Sequence, residues 1–279
     1  MRPWGLSVGP GRLHYSQSVC RDCGLVFSNP VCDWGELEEF YRDDYWQSHW
    51  PEALDRDGDA VRRSVDDQRA EVKRVQAVFP KGRLLEIGAG TGSFLAAARD
   101  AGYDVWGVET SAAAVLHAQE VFGLTNVVQD SVPTERFEPA SFDVVYAWHV
   151  IEHVVDLDAF IGALRALLKP GGLLWIGTES YRNSSHYLER AASRIRGLPP
   201  PFSTATEHTF VFNEDTLTDV VRRRGFDVVL CETYQPSLAE KLKTMRFRSP
   251  LGRLYFLMQH GLNSIASKGP LLRLAARKT

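Results

Sequence analysis

The sequence predicts an α/β protein with a doubly wound, mostly parallel sheet, an N-terminal cap and a helical insertion. Short β-branched runs alternate with helical segments from residue 83 to residue 180. One run breaks into a glycine-rich turn at Gly88, and the next run ends on an acidic residue, Glu109. Such alternation places a parallel sheet between layers of helices, and ligands bind where its strands end.

The first elements belong to the expected cap, residues 1–80. It should contain a cysteine-bearing loop region, a helix near 34–46, and a charged helix over 59–79 that stops at Pro80. The core strands that follow are expected at 84–87, 105–108, 127–128, 144–146 and 173–176.

The remaining elements complete a domain over residues 81–279, with an insertion at about 181–213. A helix is expected at 184–196 and a proline-rich loop at 199–201. After the insertion, a helix at 215–224 and a strand at 226–230 resume the sheet. Helical spacing from 251 to 265, after Pro250, predicts a further helix, and 271–275 a last strand.

The composition is that of an ordinary globular protein, with 44% hydrophobic and 24% charged residues. A net charge of -3 argues against a nucleic-acid partner. The charge is uneven, because residues 241–279 hold nine Lys or Arg and no acid. This basic tail could meet an anionic substrate, a membrane surface or the body of the protein. The sequence has neither a membrane-spanning apolar run nor a signal-peptide pattern, so we expect a cytoplasmic protein.

The glycine-rich turn is typical of a nucleoside site. Gly88, Gly90 and Gly92 would let a ligand approach the backbone beside the N-terminus of a helix. A turn that only packs strand against helix would carry the same glycines. Glu109 adds a carboxylate that can accept hydrogen bonds from ribose hydroxyls. A nicotinamide fingerprint needs Gly or Ala where Ser93 stands, so an adenosyl cofactor without a pyrophosphate fits better.

Residues 86–92, Glu-Ile-Gly-Ala-Gly-Thr-Gly, resemble the first motif of class I S-adenosylmethionine-dependent methyltransferases. Residues 142–149 and 167–172 resemble later motifs in the family's order, and residues 207–210 and 224–226 resemble a branch that includes ubiquinone-biosynthesis and sugar or natural-product methyltransferases. The resemblance implies a seven-stranded Rossmann-like sheet and S-adenosylmethionine as cofactor. The cofactor shell that it implies consists of Glu86, Gly88, Ala89, Gly90, Gly92, Glu109, Thr110, Asp130, Ser131 and Trp148.

Two histidines are candidate catalytic bases. His149 follows the fourth core strand, where open α/β sheets bind their ligands, and a hydroxyl acceptor benefits from a base. His208 lies in the insertion that covers the acceptor in related enzymes, although a structural, hydrogen-bonded histidine is the alternative. Glu152 and His153 can serve the reaction or tie their loop to the sheet.

We predict no metal site at either of two candidate positions, the segment 149–153 and the cysteine pair. His149, Glu152 and His153 have the spacing of an inverted zinc-peptidase motif, but that motif needs a continuous helix and here it ends a β run. In the ubiquinone-biosynthesis relatives, an acidic residue of a proposed divalent-metal site stands where His149 does. Cys20 and Cys23 resemble half of a zinc ribbon whose first cysteine pair is absent, which indicates a metal-free remnant.

These patterns predict a methyltransferase that uses S-adenosylmethionine and acts on a small-molecule acceptor, with O-methylation as the expected reaction. Two other functions stay open at this point. One is a nicotinamide-dependent oxidoreductase on the same kind of sheet, and the other is a non-catalytic adenosyl-binding module. The sequence does not choose among sugar, quinone, polyketide and fatty-acid-derived acceptors.

Overall fold

The computed structural model describes residues 3–8, 14–29, 51–182, 208–236, 250–266 and 269–279, with single positions at 187, 191, 194, 195 and 238. The helix predicted at 34–46 and the proline-rich loop at 199–201 lie outside the described residues. Most of the helix predicted at 184–196 also lies outside them, and its described positions at 187, 191, 194 and 195 are helical.

The described part of the chain contains eleven strands and six α-helices. The strands are β1 (Pro3–Val8), β2 (His14–Val19), β3 (Val26–Asn29), β4 (Arg83–Ile87), β5 (Asp104–Glu109), β6 (Val127–Gln129), β7 (Phe142–Trp148), β8 (Leu168–Glu179), β9 (Phe210–Val211), β10 (Phe226–Tyr234) and β11 (Leu271–Lys278). The helices are α1 (Gly58–Val78), α2 (Ser93–Asp100), α3 (Ala112–Phe122), α4 (Leu157–Leu167), α5 (Glu214–Arg222) and α6 (Pro250–Ala266).

Seven strands form the central sheet, in the order β10, β11, β8, β7, β4, β5, β6. The strands from β8 to β6 run parallel, whereas β11 runs antiparallel to both of its neighbours, β8 and β10. The predicted mostly parallel, seven-stranded sheet is therefore confirmed. Each core strand expected from the sequence is present, and β8 is the most extended relative to its prediction, since it covers 168–179 and not only 173–176.

Apolar side chains on the two faces of this sheet form two cores. In β4, Leu85 and Ile87 belong to the core that includes α4, whereas Leu84 belongs to the core that includes α1 and α2. This follows from the alternation of side chains along a strand. Gly92 is the N-cap of helix α2, where its φ of 89° suits glycine, and a Cβ there would lie 2.8 Å from Ala118 Cβ. The third glycine of the loop therefore allows close packing of α2 against α3.

The N-terminal region corrects one expectation. Residues that were predicted as a cysteine-bearing loop form a separate antiparallel sheet, in the order β1, β2, β3, β9. Cys20 and Cys23 lie in the turn between β2 and β3. β1 alternates apolar residues but is only six residues long and contains a proline and a glycine, and β2 and β3 are short and contain several polar residues, so the strand signal in the sequence is weak. Their sheet includes β9, almost two hundred residues later in the chain, which pairs with β3 at Val26 and Phe27.

Part of the basic tail meets the body of the protein. Arg277 donates hydrogen bonds to the carbonyls of Val78 at 2.9 Å and Gly171 at 3.1 Å, and Lys278 donates to the Leu168 carbonyl at 2.6 Å. These cations therefore fix β11 in place. Among the described residues, no helix has both the length and the apolar character needed to cross a membrane.

Candidate cofactor and acceptor sites

The glycine loop after β4 has a backbone that requires glycine. Gly88, Gly90 and Gly92 have φ values of 71°, 53° and 89°, in the left-handed region that other residues rarely adopt. A Cβ on Gly88 would lie 2.6 Å from Val150 Cγ2. The loop thus touches the segment that follows β7, and the two predicted sites, one for cofactor and one for acceptor, are adjacent.

Glu109 ties the end of β5 to this loop. Its buried carboxylate accepts hydrogen bonds from the backbone N–H of Gly90 at 2.9 Å and of Ser111 at 3.0 Å, and from the Thr110 hydroxyl at 3.3 Å. Two carboxylate oxygens offer about four acceptor positions. The side chain therefore shapes the loop and has acceptor capacity left for a ligand.

Glu86 is a buried acid that lacks a complete set of partners. Its Oε2 atom has no hydrogen-bond partner among the described residues. Burial, and then the negative charge of Glu109, raise the pKa of Glu86 well above its ordinary value. A buried carboxyl group beside a ligand loop, with one oxygen unused, can receive a donor or a cation that the chain itself does not supply.

Asp130 follows β6 and organises the turn after it. Its backbone N–H donates to the Glu109 carbonyl at 3.0 Å, which brings it to the glycine-loop edge of the sheet. Its carboxylate accepts hydrogen bonds from Ser131 N, Thr134 Oγ1 and Arg136 Nε at 2.9, 2.7 and 2.7 Å. Burial raises the pKa of Asp130, but these hydrogen bonds and the charge of Arg136 outweigh it and lower the pKa overall.

Trp148 lies in an aromatic stack on the α1 side of the sheet. Its ring is 5.8 Å from that of Tyr146 at 5°, and the Tyr146 ring is 3.8 Å from that of Phe94 at 12°. Gly177 leaves room for this ring, because a Cβ there would lie 2.1 Å from Trp148 Cε3. The stack connects β7 with Phe94, two residues after the glycine loop, and the alternation of Tyr146 and Trp148 along β7 could have predicted it.

His149 and Glu152 form a hydrogen-bonded pair just beyond β7. The Nδ1 atom of His149 lies 2.9 Å from Glu152 Oε1. The His149 side chain is 40% exposed and that of Glu152 only 2%. His149 has a φ of 52°, and its N–H donates to the Gly177 carbonyl at 2.9 Å. The strained backbone thus turns an imidazole outward while a buried carboxylate holds it from behind.

His149 and Glu152 each stabilise the charged form of the other. Burial raises the pKa of Glu152, but the hydrogen bond from His149 and the charges of the surrounding histidines outweigh it and lower the pKa to about 2. Burial lowers the pKa of His149, but the hydrogen bond to Glu152 and the charges of Glu152 and Glu179 raise it overall. A carboxylate that stays ionised therefore makes the imidazole a stronger base.

The structure brings His208, the second candidate base, to the same carboxylate. The His208 ring lies 4.8 Å from that of His153, and its Nδ1 atom is 3.9 Å from Glu179 Oε2. The Glu152 carbonyl accepts hydrogen bonds from the N–H groups of Thr209 and Phe210. His208 itself is buried, in contrast to His149. Residues 149–153 form a turn rather than a helix, which excludes the inverted zinc-peptidase interpretation.

Glu152, His153 and His208 together have donor atoms close enough to hold one cation. Their ligand atoms lie within 4.8 Å of one another, and Glu152 Oε2 has no hydrogen-bond partner among the described residues. Two imidazoles and a carboxylate suit a divalent transition metal. The sequence-based expectation of no metal stays a prediction here.

The cysteine turn has fewer donors. Cys20 and Cys23 are free thiols, and the described part of the chain provides no third Cys, His or acid to complete a cation site around them. Cys32 lies outside the described residues. The prediction of a metal-free remnant is therefore still to be tested.

Sequence reasoning missed two parts of the surroundings. Ser28 on β3 donates its hydroxyl to the His208 carbonyl at 2.8 Å, and its N–H donates to the Thr209 carbonyl at 2.8 Å. Arg273 on β11 forms a bidentate ion pair with Glu71 on α1, 202 positions away. No local pattern in a single sequence can pair residues so far apart.

Comparisons with known proteins agree with this architecture. A family model described as a methyltransferase domain matches residues 61–230. A ubiquinone biosynthesis O-methyltransferase of Bradyrhizobium sp. (strain ORS 278) is 40% identical over 124 residues, or 42% of this chain and 48% of that protein. The chain thus spans about half the length of the curated relatives it matches.

Solved structures share the fold. A SAM-dependent methyltransferase from Archaeoglobus fulgidus has a TM-score of 0.52 at 19% identity, covering 76% of this chain and 94% of that one. A Haemonchus contortus phosphoethanolamine N-methyltransferase 2 in complex with S-adenosyl-L-methionine has a TM-score of 0.55 at 20% identity, covering 91% and 61%.

The sheet order and the glycine loop tied to Glu109 define an α/β protein with a nucleoside-type site. Because the family model covers more than half of the chain, the chain belongs to the methyltransferase-domain family, within the class I S-adenosylmethionine-dependent methyltransferases. This membership removes the nicotinamide-dependent oxidoreductase from the alternatives.

Proposed function

We propose that the protein transfers a methyl group from S-adenosylmethionine to a hydroxyl oxygen of a small-molecule acceptor. The observation that carries the proposal is the pair of His149 and Glu152, in which a buried carboxylate holds an exposed imidazole. Val150, between them in sequence, borders Gly88 of the glycine loop. A base beside the cofactor loop suits an acceptor whose proton must leave.

The cofactor shell proposed from the sequence has groups that fit the cofactor. Glu86 Oε2, buried and without a partner among the described residues, fits a positively charged group such as the amino group of the methionine part. The remaining acceptor capacity of Glu109 fits the ribose hydroxyls. When bound, the cofactor supplies a methyl group activated by a positively charged sulfur. The proposed shell consists of Glu86, Gly88, Ala89, Gly90, Gly92, Glu109, Thr110, Asp130, Ser131 and Trp148.

In the proposed mechanism, His149 removes the acceptor proton. Glu152 accepts the Nδ1–H of His149, which leaves Nε2 to take the proton from the acceptor hydroxyl. The hydroxyl oxygen forms a bond to the methyl carbon while the bond from that carbon to sulfur breaks, so S-adenosylhomocysteine and a protonated His149 remain. We propose two alternative roles for the buried His208. Either its charge helps to keep Glu152 ionised, or it is itself the base and removes the acceptor proton from the other side of the acceptor.

The acceptor that suits this base is a phenol. A phenolic hydroxyl titrates near 10, within reach of an imidazole whose pKa is raised, whereas an aliphatic alcohol is far less acidic. The names of the matched relatives, ubiquinone biosynthesis O-methyltransferases, support an oxygen acceptor. A divalent cation held by Glu152, His153 and His208 would acidify the same hydroxyl. Activity of chelator-treated protein, with and without added Zn²⁺ or Mg²⁺, decides between a metal-free and a metal-assisted site.

We propose that residues 1–80 form a cap for the acceptor side and that residues 81–279 form the cofactor-binding domain, with the insertion at about 181–213. The pairing of β3 with β9, at the end of that insertion, supports this division. We also propose that the protein is located in the cytoplasm. Its proposed substrate is a small-molecule acceptor rather than a nucleic acid.

The proposal is tested by methyl transfer to a panel of phenols, with S-adenosylhomocysteine and the O-methyl ether both quantified. His149→Ala should reduce kcat by roughly 10²–10⁴, while the Kd for S-adenosylmethionine stays within about twofold. His260→Ala, a histidine on α6, is the matched control and should leave both constants unchanged.

Three results would count against the proposal. Binding of the cofactor without turnover of any phenol would support the non-catalytic adenosyl-binding module. A product methylated on nitrogen or carbon would mean that the reaction is N- or C-methylation and not O-methylation. A change in acceptor KM alone in His149→Ala would mean that the imidazole shapes the pocket without removing a proton.

A further inference from the structure

Helix α6 presents apolar side chains to solvent. Leu254, Leu257, Met258 and Leu262 are all exposed, Leu254 to 64%. They follow one another at intervals of three, one and four residues, so they share one face of the helix. We call these four residues the α6 stripe. A contiguous exposed stripe of this kind indicates an interaction surface, unlike single exposed leucines elsewhere.

The opposite face of α6 attaches to the end of β10 through polar groups. The Gln235 side-chain amide donates to the His260 carbonyl at 3.1 Å, and His260 Nε2 lies 3.2 Å from the Pro236 carbonyl. Asn263, on the same face, is buried. A surface helix normally buries its apolar face and exposes its polar one. The attached face of α6 combines these polar groups with the partly buried Phe256, whose ring lies 5.9 Å from that of His260, and this attachment leaves the stripe on the outer face of the helix.

Positive charge lies next to the stripe in the sequence. Residues 241–253 contain five cations and no acid, and no acid follows before residue 279. These cations are Lys241, Lys243, Arg246, Arg248 and Arg253. An apolar stripe beside a cluster of cations complements a membrane surface, where anionic headgroups border the hydrocarbon region. A second copy of this chain would bring the same positive charges together and is disfavoured.

We propose that α6 docks the protein on the surface of a membrane that contains anionic lipids. The four apolar side chains of the α6 stripe enter the headgroup region, and the excess of cations over acids in residues 241–253 of the sequence favours anionic lipids. The helix lies in the plane of the surface and does not cross it. This inference is independent of methyl transfer, because none of these residues belongs to the cofactor or acceptor sites.

Flotation of the full chain with lipid vesicles tests the proposal. The protein should float with vesicles of phosphatidylcholine and phosphatidylglycerol, and much less with phosphatidylcholine alone. Binding should weaken at 1 M salt, where the Debye length is about 3 Å. Leu254→Ser combined with Leu262→Ser should reduce partitioning by about tenfold or more, because two apolar side chains no longer enter the lipid.

Leu116→Ser is the matched control, since Leu116 is an exposed leucine on α3, far along the chain from the stripe. It should bind vesicles like the unaltered protein, and circular dichroism should give the same helical content for every variant. No flotation of the unaltered protein, equal flotation with neutral vesicles, or unchanged flotation of the double variant would each overturn the proposal. A dimer in light scattering that the double variant dissociates would assign the stripe to a second copy instead.

Discussion

The ion pair between Arg273 and Glu71 gives the sharpest stability prediction. Its side chains are 2% and 10% exposed, and the two carboxylate oxygens accept from Nε at 2.8 Å and Nη2 at 2.5 Å. Arg273→Met removes the cation and leaves Glu71 buried. The Met side chain is unbranched and of similar length to that of Arg. Breaking a buried pair in this way costs about 3–5 kcal/mol of the free energy of unfolding.

The structure places the expected loss at the lower end of that range. Glu71 keeps a hydrogen bond from Trp175 Nε1 at 2.9 Å and a contact with Arg74 at 3.3 Å, so its charge is not left without donors. We therefore expect Arg273→Met to cost about 3 kcal/mol and to lower Tm by roughly 6–12 °C. Urea unfolding followed by circular dichroism gives the free energy, and calorimetry gives Tm.

Two further variants make this prediction refutable. Glu71→Gln together with Arg273→Met should recover more than half of the loss, because no uncompensated buried charge remains. Arg277→Met, which removes hydrogen bonds to two carbonyls without stranding a charge, is the matched control and should cost about 1 kcal/mol. A loss for Arg273→Met no larger than that of the control would refute the reasoning.

Three other predictions concern the proposed sites. Gly88→Ala should weaken S-adenosylmethionine binding at least tenfold by calorimetry, because the new Cβ would lie 2.6 Å from Val150 Cγ2 and the φ of residue 88 is 71°. Adding Val150→Ala should restore only part of the affinity, since the backbone strain at residue 88 remains. Burial raises the pKa of Glu86, and a cationic cofactor bound beside it would lower that pKa again, so cofactor binding should release protons. Calorimetry in buffers of different ionisation enthalpy should detect this release, and Glu86→Gln should abolish it. Ser28→Ala should cost about 1 kcal/mol of stability and lower kcat several-fold with an unchanged Kd for the cofactor, whereas equal effects on both constants would contradict a role confined to the acceptor side.

Much of the cofactor half could be predicted because its signals are local. The strand, the glycine turn and the helix after it are contiguous, and Glu109 follows one βα unit later. Positive φ values at Gly88, Gly90 and Gly92 confirm that the turn needs glycine, which is the physical content of the motif. The assignment of individual residues to the cofactor stays a prediction.

The acceptor half was less predictable because its contacts are distant in sequence. The link between Ser28 and His208 spans 180 positions. The pairing of His149 with Glu152 could have been predicted, since residues three apart can meet in a turn. Their different exposures, which distinguish their roles, depend on packing and could not. The strands β1 to β3 are four to six residues long, and β2 and β3 contain several polar residues, so their strand signal was weak and the N-terminal sheet was predicted as loop.

The position of β11 in the central sheet has a consequence for how the chain folds during synthesis. β11 separates β8 from β10 and pairs with both, yet it is made after either of them. During synthesis the parallel strands β4 to β8 can therefore pair before β11 is available. β10 has no partner strand in the sheet until residue 278 has left the ribosome. A ribosome stalled between α6 and β11 would expose the open edge of β8, the state most prone to capture by chaperones or by other strands.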